Sequence, residues 1–250
     1  MLWHPASLVG IVADHKGAGL MVTMMRRRGR RWAAQRPPAL GQAALEYAAL
    51  GWPVCPGANP SGGLDGFGMP DPGRACSCDR VGCPAPAAHP VSPTWQMQST
   101  VDPAVIGQWW EARPEANVIL ATGRVFDVLD APAVAGATAL ARMAADGVET
   151  GPVAADGAER MHFYVLTRGA PADEDEWWSC GLDASPDPEL ATAAEAVRWH
   201  CRDSYVLAPP SRYGTGQDVR WVRPPTASPL PDGLRLLEYL VDACEEEANA

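Results

Sequence analysis

The sequence predicts an α/β fold of the α+β kind carrying a metal-stapled loop insert. Two observations predict it. Short apolar runs of strand length alternate with segments whose apolar residues recur at helical spacing. Between the first such run and the next helix lies a Pro/Gly-rich stretch, 56–94, holding Cys76, Cys78, Cys83 and His89 in the spacing C-x-C-x4-C-x5-H. Thiolates and an imidazole are ligands that Zn²⁺ prefers, and four of them fill a tetrahedral structural site. A loop this poor in large apolar residues cannot hold itself by burial, whereas metal-binding energy becomes folding energy. A structural zinc is therefore expected there.

Taken in order, residues 1–37 show no sustained periodicity and read as disordered or as an upstream extension, with Met24 and Met25 as alternative starts. Leu40, Ala44, Tyr47 and Leu50 are spaced as one helix face, and Gly51 stops that helix. Trp52-Pro-Val-Cys-Pro reads as a first strand, with Cys55 as a small buried hydrophobe. Asp102-Pro103 opens the next helix. Asp is its N-cap and Pro its first helical residue, and the helix runs to near Pro114. Residues 117–122 and 125–130 are strands joined at Gly123, and Pro132–Met143 is an Ala-rich helix. Residues 151–155 and 161–166 form a hairpin around Asp156-Gly157. Strand alternation puts His162 and Tyr164 on one face and Met161, Phe163 and Val165 on the other. The acidic stretch 171–187 is expected to be an exposed loop, and 189–197 to be weakly helical. Strands follow near 204–208 and 218–222, with His200 and Cys201 read as surface strand residues. A last helix spans 230–244 with Leu234, Leu237 and Val241 on one face. Its acidic end, Glu245–Glu247, is expected to fray. The domain reading is an extension at 1–37, a folded domain at 38–228 and a helix with an acidic tail at 229–250.

Composition excludes several classes. No apolar run approaches the roughly 18–20 residues needed to span a bilayer, so no membrane partner is expected. An odd count of seven cysteines, three of them clustered at ligand spacing, argues for a reducing cytoplasm and against a disulfide framework. Residues 1–36 carry seven basic side chains and one acidic, while the rest carries 13 basic and 29 acidic. A nucleic-acid contact on so acidic a body needs a local arginine patch.

In this setting the chain resembles the N-terminal domain of bifunctional DNA primase/polymerases, the prim-pol family of the archaeo-eukaryotic primase superfamily. The resemblance is carried in order by Gly51-Trp-Pro-Val, the loop ending in His89-Pro90, Thr100-Val-Asp-Pro through Trp109-Trp110, Pro114 through Gly123, Met161-His-Phe-Tyr and Tyr205-Val-Leu-Ala-Pro-Pro-Ser, over about residues 38–225. It implies a two-layer fold with a catalytic sheet like that of an RNA-recognition motif. It also implies two-metal nucleotidyl transfer, with acidic residues holding Mg²⁺ or Mn²⁺ and a strand His holding the nucleotide. Single-stranded DNA and nucleotides are the implied partners. With the chain stopping at residue 250, unwinding is expected from a separate helicase.

Three departures bear on that chemistry. The family's first motif, Asp-x-Asp at a strand end, is here Asp127-Val-Leu-Asp130, and residues i and i+3 of a strand point to opposite faces. Asp127 and Asp130 share a metal only if a bulge re-aims one of them. Otherwise they are strand-end polar residues, with Asp130 placed to cap a helix that begins at Pro132. His162 stands where the family has its His, but the glycines before it are degraded. Near the third acid the chain reads Val197-Arg198-Trp199-His200, and a cation there repels Mg²⁺. Two readings follow: an active primase/polymerase domain using Asp127, Asp130 and His162, or a non-catalytic prim-pol module that binds nucleotide, nucleic acid or a protein partner.

Overall fold

The computed structural model describes residues 39–61, 76–78, 80, 82–156, 159–167, 196–214 and 217–249. The expectations for 1–37, for the loop at 171–187 and for the helix at 189–195 lie outside these residues. The described elements are mixed α and β. Helix α1 (Leu40–Ala49) ends at Gly51. The φ of Gly51 is 81°, which suits a residue with no Cβ. After β1 (Val54–Gly57) and a single helical turn, α2 (Trp95–Gln98), comes α3 (Pro103–Ala112). Asp102 caps α3 as its sequence predicts. Its side chain accepts the Ala104 N–H at 2.8 Å. Then follow β2 (Asn117–Ala121), β3 (Phe126–Pro132), α4 (Ala133–Ala145), β4 (Val153–Asp156), β5 (Arg160–Leu166), β6 (Arg198–His200), β7 (Tyr205–Ala208), β8 (Val219–Arg223) and α5 (Gly233–Ala248).

Two antiparallel sheets result, one ordered β1-β2-β7 and the other β6-β3-β5-β4-β8. The strand alternation read at 161–166 sorts the five-stranded sheet into two faces. Leu129, Met161, Phe163, Val165 and Trp199 pack beneath α4 and α5 with Met143, Leu236 and Leu240. Phe126, Val128, Ala154 and Tyr164 face the three-stranded sheet and α1, where the Trp52 ring stacks on Tyr164 with centroids 5.2 Å apart. Cys55 is buried in this second core, which pushes its thiol up to about 12.

Three local expectations need correction. On α5 the face turned inward is Leu236, Leu240, Ala243 and Cys244, while Leu234 is 40% exposed and Leu237 and Val241 only border the core. The helix packs by the stripe that starts at Gly233 and Leu236, beside the predicted one. The strand starting at Phe126 runs unbroken to Pro132, so Asp130 sits within it and does not cap α4. Cys201, expected at the surface, is buried and disulfide-bonded. Among the described residues Cys55, Cys76, Cys78, Cys83 and Cys244 are free.

One glycine fixes how two turns meet. Gly123 has φ of 81°, and a Cβ there would lie 2.2 Å from the Arg202 Cα. The β2–β3 turn therefore rests directly on the turn after β6, joined also by Thr122 Oγ1 donating to the Cys201 carbonyl at 2.6 Å.

Candidate nucleotide cleft and metal loop

The inward face of the five-stranded sheet is apolar at one end and polar at the other. Beyond Phe126, Val128 and Tyr164 the same face presents Asp130 on β3, His162 on β5, and Arg198 and His200 on β6. Asp130 is the direct cross-strand partner of both His162 and Arg198. Asp156 and Arg160 complete the surface from β4 and β5. Together with Ala88, Glu159, Ser204, Tyr205–Leu207 and Tyr213 they line an open cleft of about 500 Å³.

Asp130 is only 3% exposed, yet it is ionised by its surroundings. Arg160 Nε donates to Oδ1 at 2.7 Å, His200 Nε2 lies 3.4 Å from Oδ2, and His162 Nε2 lies 3.7 Å from Oδ1. Burial pushes the carboxyl up, but the His200 hydrogen bond and the neighbouring His162 and Arg160 outweigh it. They hold the group well below the usual carboxylate range. Arg160 is itself fixed by donating to the Asp130 and Ala196 carbonyls, both at 2.9 Å. Burial brings His162 down to about 4, so its imidazole is neutral at pH 7. Its Nδ1 has no hydrogen-bond partner among the described residues. Burial and the nearby Asp130 charge push Asp156 up to about 6, although Oδ1 accepts the Arg160 N–H at 2.6 Å.

The structure brings Asp130 and His162 together and leaves Asp127 out. Asp127 is 2% exposed on the opposite face, where Trp199 Nε1 donates to its Oδ2 at 3.2 Å. No bulge interrupts the β3–β5 ladder at these residues, so strand alternation decides the matter. The bulge on which a metal shared by Asp127 and Asp130 would depend is absent from this ladder. Arg198 does occupy the cleft where the third acid was sought, and Arg160 already occupies the Asp130 carboxylate. This residue set does not fit a pair of divalent ions. His200, read from sequence as a surface residue, is a cleft residue. Period-two alternation would have found it, since Arg198 and His200 share a face as Arg160 and His162 do. Tyr213 carried no such signal, because a turn places it.

The four loop ligands do converge. The ligand atoms of Cys76, Cys78, Cys83 and His89 all lie within 4.8 Å of one another, and among the described residues no second group of three ligating side chains does so. The tautomer suits a metal: His89 Nδ1 donates to the Pro90 carbonyl at 2.8 Å, leaving the Nε2 lone pair 3.3 Å from Cys76 Sγ. That backbone partner on the far nitrogen is the usual support of a ligating imidazole. The Ala87 N–H donates to Cys76 Sγ at 3.2 Å. At Cys78, burial is outweighed by the Arg80 backbone and by Cys76, His89 and Cys83, which bring the thiol down to about 7. Burial and the neighbouring thiols raise Cys83. One thiolate made easy and the next made harder is the charge crowding that a cation relieves. The far end of the loop pairs back along the end of β1, through Ala58 N to the His89 carbonyl at 2.8 Å and Val91 N to the Pro56 carbonyl at 3.0 Å.

No helix among the described residues is long and apolar enough to cross a membrane. No curated protein matches the chain. The family model for the N-terminal domain of bifunctional DNA primase/polymerases matches residues 44–232, which takes in both the cleft and the metal loop, and the chain belongs to that family.

Proposed function

We propose that this prim-pol domain binds a nucleotide or the end of a single nucleic-acid strand in the cleft floored by Asp130 and His162, without two-metal polymerisation. The observation that carries the reading is the pairing of Asp130 with Arg160 and His200 while Asp127 faces the other core. An arginine on the carboxylate leaves no seat for the ions that clamp an attacking hydroxyl and a triphosphate. What remains suits recognition. Arg198 offers a charge for phosphate. The buried, unpartnered His162 Nδ1 offers a polar handle to a ligand group. With Arg160 engaged by Asp130, Arg198 is the cleft cation that a phosphate would meet.

Zinc is the metal we assign to Cys76, Cys78, Cys83 and His89, as a structural ion. The donor set is of the Cys₃His kind and leaves no position for a substrate. The clustered free thiols support a cytoplasmic location, and the disulfide at Cys201 is the feature against it.

The test uses the zinc-loaded chain, single-stranded DNA template, Mg²⁺ or Mn²⁺, and a titration of dATP followed by tryptophan fluorescence. Saturable binding without primer synthesis or extension is expected. Extension that Asp130→Ala abolishes would establish an active polymerase instead. One observation favours that second reading: Asp130, Asp156 and Glu159 line the same cleft. If they form the working acid set, Asp156→Ala must abolish extension as well.

A further inference from the structure

The metal loop is also a wall of the cleft. Between Cys83 and His89 the chain turns through Ala87, which is fully buried with φ of 62° and is held on both sides. Its N–H donates to Cys76 Sγ, and its carbonyl accepts from Asn117 Nδ2 at 2.8 Å. Asn117, the first residue of β2, is 1% exposed. Its Nδ2 donates also to the Arg212 carbonyl at 2.7 Å, and its Oδ1 accepts the Arg212 N–H at 3.1 Å. One amide side chain thus joins the metal loop to the turn after β7. A second bond runs beside it, Gly214 N–H to the Pro86 carbonyl at 3.0 Å. The two backbones are so close that a Cβ at Gly214 would lie 2.6 Å from the Pro86 Cβ. Between Arg212 and Gly214 stands Tyr213, which lines the cleft and hydrogen-bonds Asp156, while Ala88 lines it from the loop itself.

We infer that occupancy of the Cys₃His site sets the ligand affinity of the cleft, with Asn117 as the positioning residue that couples them. This rests on the cleft being a nucleotide or nucleic-acid site. A bound zinc fixes Cys76, Cys83 and His89, hence Ala87 and Pro86, hence the 212–214 turn and the Tyr213 ring against Asp156. Without the metal, the loop between Cys83 and His89 has no large side chain to bury, and that wall of the cleft loses its backing. Coupling of this kind is reciprocal: whatever factor zinc adds to ligand affinity, the ligand adds to zinc retention.

The experiment compares the full chain with and without zinc, using dATP and a short single-stranded oligonucleotide as probes. The direct reporters are the Arg212 and Gly214 amides, since each is bonded across the junction. On chelation, their hydrogen exchange should speed up while amides of the β3–β5 ladder stay protected. Affinity for the probe should fall on the order of tenfold, inside the roughly 5- to 150-fold range of such couplings, and saturating probe should slow zinc loss to a chelator by a similar factor. In Asn117→Ala, zinc and probe should each still bind but no longer affect one another, which a merely stabilising residue would not produce. If Asn117→Ala does not fold, chelation of the unmodified chain decides alone. Unchanged exchange at Arg212 and Gly214 after zinc removal would overturn the coupling. Failure of either probe to bind the zinc-loaded protein would instead sink the functional reading, and the two amides would still decide whether loop and cleft wall are linked.

Discussion

Asp127 and Asp130, three residues apart on β3, leave the sheet through opposite faces, one to meet the Trp199 indole and the other the Arg160 guanidinium. Two carboxylates that look like a pair in sequence therefore do separate work, and substitution should separate them.

Asp127→Ala leaves a buried indole N–H without its acceptor, which costs about 1–3 kcal/mol. It should lower the urea midpoint and leave dATP affinity within about twofold, because nothing on that face reaches the cleft. Asp130→Ala removes the carboxylate that Arg160 and His200 share in the cleft and so changes ligand affinity directly. Fluorescence titration beside urea denaturation checks both, and a cleft defect in Asp127→Ala would refute the assignment of faces.

Two cleft residues give opposing pH slopes. Asp156 has a folded pKa of about 6 against an ordinary 3.8, so between those values the folded protein keeps a proton that the unfolded chain has released. Its contribution makes stability fall as pH rises from about 4 to about 6. His162 is the reverse, with a folded pKa of about 4 against 6.5, so stability is lost as pH falls through that window. The two partly cancel in the native protein. Asp156→Asn should remove one slope and leave a protein whose stability rises more steeply from about pH 4.5 to about 6.5. Urea midpoints across that range would reveal it, and parallel profiles for the two proteins would contradict it.

Zinc should be taken up at one per chain and lost on substitution of a ligand. Free zinc at about a thousand times its dissociation constant adds about 4 kcal/mol to the folded state, which for a chain of this size raises the melting temperature by roughly 10 °C. In Cys83→Ser that rise should shrink or vanish. A melting curve indifferent to zinc would mean that the four side chains converge without serving as ligands.

Gly123→Ala is expected to cost about 3 kcal/mol or more, since the new Cβ meets the Arg202 backbone from a left-handed conformation. Gly51→Ala supplies the comparison. It has the same φ, but nothing lies within 4 Å of the added carbon. Only the conformational cost of about 1–2 kcal/mol then remains. Equal losses at the two sites would show that the turn contact carries no load.

Much of this was legible from local patterns. The Asp102 cap, the Gly51 stop, the alternation at 161–166 and the C-x-C-x4-C-x5-H spacing each act within one turn, one strand or one loop, so the sequence displays them directly. The period of a strand also forecast that Asp127 and Asp130 would part. Other features depend on which distant segment arrives alongside. His200 became a cleft residue because β6 pairs with β3, and Arg160 met Asp130 because the ladder puts β5 beside it. The phase of α5 was misread because apolar residues border both sides of its buried stripe, and the helix packs by Leu236 and Leu240. Asn117 gave no signal, since its partners come from segments 30 and 95 residues away.

The order β1-β2-β7 has a further bearing on how the protein is made. β2, with Val118, Ile119 and Leu120 fully buried, pairs with β1 on one side as soon as both leave the ribosome. Its other edge waits for β7, more than 80 residues later in the chain. Throughout that interval a nascent chain presents an unpaired, largely apolar strand edge, the kind of surface that recruits chaperones or other copies of itself. Fragments that end before Ala208 should accordingly be the ones that precipitate.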